Sequence, residues 1–299
     1  MDGVLVVDKP AGVTSHDVVA VARRALREKR IGHTGTLDPL ATGVLALACG
    51  RATRLVRFLS AADKDYEATI RFGVTTDSFD ISGTVVSRSG RAPAREEVER
   101  GLAALRGEYD QMPPAYSAKR VGSERAYTLA RRNEAVALKA VPINVSRAEL
   151  VAFSGGVAVV ALTGSAGFYV RTFAHTLGQL AGTGACLEAL RRTRSGDYTL
   201  GSALTLEDLV TQGDRAGRHV VPLDALLPGI PAVRLTGEGR RRVTHGREIE
   251  PSHVEAWVAT AAVEAGPAWV RLLDSTGCLV GLATRRTADP ALHPAIVLI

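Results

Sequence analysis

Apolar and polar positions divide the chain into short strands joined by a few helices. The run Val4-Leu5-Val6-Val7, set between Asp2 and Asp8, has the pattern of a buried strand that ends in the turn Asp8-Lys9-Pro10. Ser15 (or Thr14) then supplies an N-cap, and Val18, Ala22, Ala25 and Leu26 share one face of the helix that follows. Residues 44–49 form a second apolar run, followed by a helix with Arg51, Arg54 and Arg57 on one side. Tyr66, Ala68, Ile70 and Phe72 alternate with Glu67, Thr69 and Arg71, which predicts a strand with one buried face. Residues 96–105 and 127–131 read as helices, and residues 141–145 and 157–162 as strands. A helix beginning near Arg171 runs to about Leu180, and residues 190–196 read as a basic turn. Prolines 222, 228 and 231 mark a linker. Beyond it, strands near residues 232–235, 256–258, 268–273, 279–284 and 295–299 read as a small β-barrel.

Composition narrows the function. The 299 residues are 46% hydrophobic and 23% charged, as in an ordinary globular protein. The net charge of +6 suits a polyanionic partner such as RNA or DNA. Of the 37 basic residues only Lys9, Lys29, Lys64, Lys119 and Lys139 are Lys. Arg grips phosphate with two parallel hydrogen bonds and stacks on bases, although a GC-rich genome produces the same bias. Cys49, Cys186 and Cys278 lie far apart, which argues against a disulfide framework or a zinc site. The N-terminal apolar run is too short for a signal peptide, and no stretch approaches the length of a membrane span. These features place the protein in the cytoplasm.

Candidate chemistry concentrates in residues 32–43, where Asp38 is flanked by Gly32, Gly35 and Gly43 and followed by Pro39. Pro39 pushes Asp38 out of the helical region, so Asp38 sits at a rigid corner, with His33 earlier on the same loop. A plain turn uses the same residue types; the length and particularity of this stretch favour a site. A second stretch, residues 164–172, places glycines ahead of Phe168, Tyr169 and Arg171. A cation near a helix start opposes the helix dipole, so Arg171 calls for a carboxylate partner.

Together these stretches resemble the bacterial TruB-type tRNA pseudouridine synthases, over nearly the whole chain. The resemblance rests on residues 8–15, 32–43, 64–66, 76–80, 113–118, Tyr127 with Ala130-Arg131, 167–172 and 190–193, in the family's order. It implies an α+β fold: a pseudouridine-synthase catalytic domain with a central, mostly antiparallel sheet (residues 1–228), then a small PUA-like RNA-binding β-barrel (residues 229–299). It implies isomerisation of uridine 55 in the TΨC loop of tRNA. Asp38 would be the catalytic carboxylate, Tyr66 would stack on the base and handle its C5 proton, and Arg171 would pair with Asp38. His33 would fill the space left by the flipped base, with Lys9 and Tyr169 in supporting roles. Arg191, Arg192 and the basic residues of the first helix would contact phosphates. The isomerisation needs no metal or cofactor. The expected partner is the tRNA TΨC stem-loop, with no membrane, no guide RNA and a monomeric enzyme. Three departures from the family pattern stand out: residues 119–122 run one residue short, Ser78 replaces a common Thr, and Phe168 stands where Thr is frequent.

Three other readings compete, the first being the related archaeal and eukaryotic guide-RNA-dependent synthase, against which the lack of a long basic tail favours a stand-alone enzyme. A glycosidase or base-excising enzyme needs two carboxylates, which Asp77 or Asp80 could complete. A non-catalytic tRNA-binding or tRNA-folding protein would use the basic surface without needing Asp38, Tyr66 and Arg171.

Overall fold

In a computed structural model the described residues are 1–116, 120–121, 124–125, 132, 138–258, 269–285 and 290–299. The expected helix at residues 127–131 and the shortened segment at Lys119 lie outside them.

An 11-stranded sheet organises the larger part. Its main path runs Leu204–Thr205, Gly3–Lys9, Thr42–Cys49, Ala185–Ser195, Lys64–Phe72, Val157–Gly164, Val141–Ser154 and Gly107–Gln111. The sheet is mixed. Gly3–Lys9 pairs parallel with Leu204–Thr205, and Ala185–Ser195 pairs parallel with Thr42–Cys49, while the remaining neighbours are antiparallel.

The two sequence patterns have different structural causes. Along Gly3–Lys9, Leu5 and Val7 join a core that includes Val18 and Ala22 of the Ser15–Ala25 helix. Val4 and Val6 face the other way, into a cluster with Ala232, Leu279, Leu282 and Leu298 of the C-terminal part. A strand covered on both faces loses its alternation and becomes a continuous apolar run. In Lys64–Phe72 the alternation survives: Tyr66, Ala68, Ile70 and Phe72 are all buried in the first core, against Phe173 and Leu177 of the Val170–Leu180 helix.

The C-terminal part corrects one expectation. Its strands form a five-stranded sheet in the order Val254–Val258, Ala232–Leu235, Trp269–Leu273, Leu279–Arg285, Leu292–Val297. Among the described residues its two edge strands, Val254–Val258 and Leu292–Val297, do not pair with each other. The sheet is open, not a barrel. One of its faces is covered by Val243 of the Gly237–Thr244 helix, within a cluster that includes Val233, Val270 and Leu272. Leu273, Leu279 and Leu282 pack with the larger part instead. With both faces covered, closure is not needed to bury its side chains. The α+β class of the larger part holds.

Two local readings also change. Residues 190–195 are not a turn; they complete the strand Ala185–Ser195, and Arg192 takes an inward position there. His33 is not on the loop but ends the short strand Ile31–His33, opposite Leu47.

Candidate active site

The Asp38 corner is built by giving each carbonyl from residue 35 to residue 39 a donor. Arg192 Nη2 donates to Gly35 O at 3.1 Å, and Arg192 Nη1 donates to Thr36 O at 3.4 Å. Ser15 Oγ donates to Leu37 O at 3.0 Å and accepts from Leu37 N at 2.8 Å. Ala41 N donates to Asp38 O at 3.0 Å, closing a turn. Gly12 N and Lys9 Nζ donate to Pro39 O at 2.8 and 3.4 Å. Buried backbone groups fixed this way hold one conformation, so the direction of the Asp38 side chain is set before any substrate arrives.

Ser15 reaches Leu37 because it is not the helix cap. Thr14 caps the Ser15–Ala25 helix, and Asp17 returns a bond to the Thr14 backbone, forming a capping box. The signal was in the sequence: Asp17 lies three residues after Thr14 and not after Ser15. Gly43 closes the far side. It has φ +103°, and a Cβ there would lie 2.1 Å from Arg192 O. Only glycine lets the two strands meet at this point.

Arg171 completes the centre. It is the second residue of the Val170–Leu180 helix, and its side chain is 6% exposed. Arg171 Nε lies 2.8 Å from Asp38 Oδ2, and Nη2 donates to Asp38 Oδ1 at 3.2 Å. Nη2 also donates to Tyr116 O at 2.8 Å. Nη1 donates to Ser78 O at 3.2 Å and lies 3.6 Å from Asp80 Oδ2. Sequence reasoning had offered Asp80, with Asp77, as a possible second carboxylate for a glycosidase, and had placed it in the stretch 76–80 that carries the family resemblance. Its Oδ1 accepts from Ser78 Oγ at 3.0 Å and Ser82 N at 3.0 Å, and the residue is buried. Asp80 therefore serves Arg171 and its own turn and does not open toward a substrate, which removes Asp80 as the second carboxylate of that reading. Asp38 does open: its side chain is 35% exposed.

The electrostatics follow from these contacts. Burial raises the Asp38 pKa above the usual carboxylate value; Arg171 opposes the rise, Asp80 adds to it, and Lys9 opposes it weakly. Burial also lowers Lys9 to about 8, with the Asp38 charge acting against the shift. Tyr66 is buried and its pKa is raised by that burial, against the pull of Arg192. The phenol is therefore held in its neutral form. Its ring meets Phe168 edge-on, with centroids 6.4 Å apart.

The remaining expected residues fall into different settings. Lys9 is 0% exposed and donates to Pro10 O, Val13 O and Pro39 O. Arg192 is 2% exposed and also donates to Val44 O. Both face the protein interior. Arg191 lies on the more exposed side of the same strand, with Nη2 2.7 Å from Asp8 Oδ2. Tyr169 caps the Arg171 helix, and Gln111, a residue the sequence reading missed, binds both its N and its O, at 2.8 and 3.1 Å. His33 is half-buried. Among the described residues, no group of three His, Cys, Asp or Glu side chains is placed to hold a metal ion.

Residues 23–170 match the family described as TruB family pseudouridylate synthase (N terminal domain), and residues 171–228 match the tRNA pseudouridylate synthase B C-terminal domain. The chain is 41% identical over 302 residues to the tRNA pseudouridine synthase B of Solibacter usitatus, with 100% of both chains covered. The chain belongs to the TruB family of pseudouridylate synthases. It is an enzyme that makes pseudouridine in tRNA. The tRNA pseudouridine synthase B of Thermobifida fusca is 44% identical over 261 residues, covering 84% of this chain and 87% of that one. The crystal structure of a Cbf5-Nop10-Gar1 complex contains a chain of the same fold, with a TM-score of 0.75 at 26% identity, covering 99% of this chain and 85% of that one. Family membership separates the enzyme from the purely RNA-binding reading. No helix among the described residues is long and apolar enough to cross a membrane.

Proposed function

We propose that this TruB-family enzyme isomerises uridine 55 in the TΨC loop of tRNA, with Asp38 as the reacting carboxylate. One observation carries the reading: Asp38 is the open carboxylate of a corner whose every carbonyl is held, and it is fixed edge-on to a buried guanidinium. A stacked uridine is out of reach of such a corner, so the base is flipped outward. Tyr66 offers a flat, apolar-backed ring for the base and a neutral hydroxyl for the C5 proton. His33 fills the vacated space. Arg171 keeps Asp38 in place, while Lys9, Arg192 and Tyr169 hold the frame. Arg191 contacts the RNA backbone. In the reaction the N1–C1′ bond breaks, the base turns, and C5 bonds to C1′. C5 then gives up its proton and N1 gains one, with no net change in oxidation state.

The chain acts as a monomer in the cytoplasm, without guide RNA. Residues 1–228 carry the chemistry and residues 229–299 form an RNA-docking unit. The separate C-terminal core around Val233, Val270 and Leu272 supports that division. The test is to incubate the chain with an unmodified tRNA transcript and map pseudouridine. Product at uridine 55, and none in a transcript carrying cytidine there, is expected. Product at another position, or only on addition of a guide RNA, contradicts the reading.

A further inference from the structure

Between Ser78 and Asp80, the two residues that hold Arg171 from behind, stands Phe79. It has φ +63°, a left-handed backbone that a bulky residue rarely adopts. The backbone there is anchored to the strand Ala185–Ser195: Leu187 N donates to Phe79 O at 2.9 Å, and Ile81 N donates to Leu187 O at 2.8 Å. The Phe79 ring lies flat on His175, with centroids 4.0 Å apart and planes 13° apart. His175 is four residues after Arg171 on the Val170–Leu180 helix, one turn along the same side. Its Nε2 shares a hydrogen bond with the Gln179 amide one turn further on, at 3.1 Å.

We propose that the Phe79–His175 stack is a positioning device for the reaction: it holds the left-handed turn that aims Ser78 O and Asp80 at Arg171, and through Arg171 it fixes the Asp38 carboxylate. Relaxing φ at residue 79 turns the Ser78–Phe79 peptide and swings Ser78 O away from Arg171 Nη1. Arg171 then loses one of its rear contacts, and the carboxylate it holds loses its fixed plane. The stack touches no reacting atom. Because one of its rings is on the Arg171 helix, it ties the turn to that helix and not only to the sheet. A helix–turn connection made by ring stacking keeps its direction in a way that a single apolar contact does not. The proposal rests on the assignment of Asp38 and Arg171 given above.

The test compares Phe79→Ala, Phe79→Tyr, His175→Ala and His175→Phe with the wild-type chain and Asp38→Asn, in single-turnover and steady-state assays on a tRNA transcript. A misplacement of the order of an ångström at a reacting group lowers rate by about 100-fold. The two Ala variants are therefore expected to lose roughly 10- to 100-fold in kcat, with KM changed by less than about threefold. Phe79→Tyr and His175→Phe keep the stack and are expected to retain near-wild-type kcat. Should Phe79→Ala fail to fold, the His175 pair decides. Wild-type kcat in the Ala variants, a change confined to KM, or equal losses in His175→Phe and His175→Ala would each overturn the proposal. An Asp38→Asn chain that still makes product defeats the Asp38 assignment itself; an inactive Asp38→Asn beside fully active stack variants defeats the stack alone.

Discussion

Two buried arginines meet the corner that carries Asp38, and they are compensated in different ways. Arg171 binds two carboxylates and two carbonyls. Arg192 binds three carbonyls, and Tyr66 is the group that favours its charge. Burial lowers the Arg192 pKa from its ordinary value, and only Tyr66 opposes that shift. A guanidinium with carbonyl partners fixes backbone. A guanidinium with carboxylate partners also sets which charges stand in the site, and where. In the proposed reaction Arg171 belongs to the chemistry through Asp38, and Arg192 belongs to the scaffold that carries Asp38.

Breaking Arg171 gives the largest effect. Arg171→Met leaves Asp38 and Asp80 facing each other without a cation. The kcat is expected to fall on the order of 10²- to 10³-fold, as when a preorganised electrostatic partner is removed. Stability falls by about 3–5 kcal/mol, because one member of a buried ion pair is gone. Single-turnover rates and urea unfolding measure both. A loss of less than tenfold in rate would mean that the ion pair does not orient Asp38.

Arg192→Met should show the opposite balance. It orphans carbonyls at Gly35, Thr36 and Val44, at a cost on the order of 1–3 kcal/mol for each buried group left unpaired. Its kcat falls less than that of Arg171→Met, because the Asp38 ion pair survives. A rate loss as large as that of Arg171→Met would erase the distinction between the two arginines.

The smallest effect is on stability against pH, and it isolates Asp38. Its folded-state pKa is raised, so the folded state holds the proton more tightly than the unfolded chain. The stabilisation from that proton is complete below the ordinary carboxylate value of 3.8 and is lost as pH rises through the folded-state pKa. Asp38→Asn does not acquire this charge. At pH 7 it should melt no lower than wild type, and the difference should shrink in acid. A clear fall in melting temperature at pH 7 would show that the Arg171 contact outweighs burial.

The same two arginines show how much was legible in the sequence. Arg171 was readable because a cation in the first turn of a helix opposes the dipole and needs a partner. Asp38 was readable because an Asp-Pro step among glycines leaves few backbone choices. Arg192 was hidden. Strand patterns are recognised by apolar residues facing inward, and here an inward position is filled by an Arg whose carbonyl partners are about 150 residues earlier. Lys9 was hidden for the same reason. His33 was drawn into the loop because Gly32 and Gly35 flank it, whereas its pairing with Leu47 is a tertiary fact. The strands of the C-terminal part were largely found, but closure depends on whether two edge strands meet, and residue order along the chain does not carry that. The Phe79–His175 stack lay furthest from view, since it joins residues 96 positions apart through a left-handed backbone at a non-glycine residue.

The account stands on Asp38 as the reacting group. The most direct measurement is pseudouridine formation in an unmodified tRNA transcript by the wild-type chain and by Asp38→Asn, with tRNA affinity measured for both. The prediction is product from wild type, a rate at least about 10⁴-fold lower from Asp38→Asn, as expected when a reacting group is removed, and equal binding. Product from Asp38→Asn at a rate within tenfold of wild type would contradict it, and would place the chemistry on another residue of the same site.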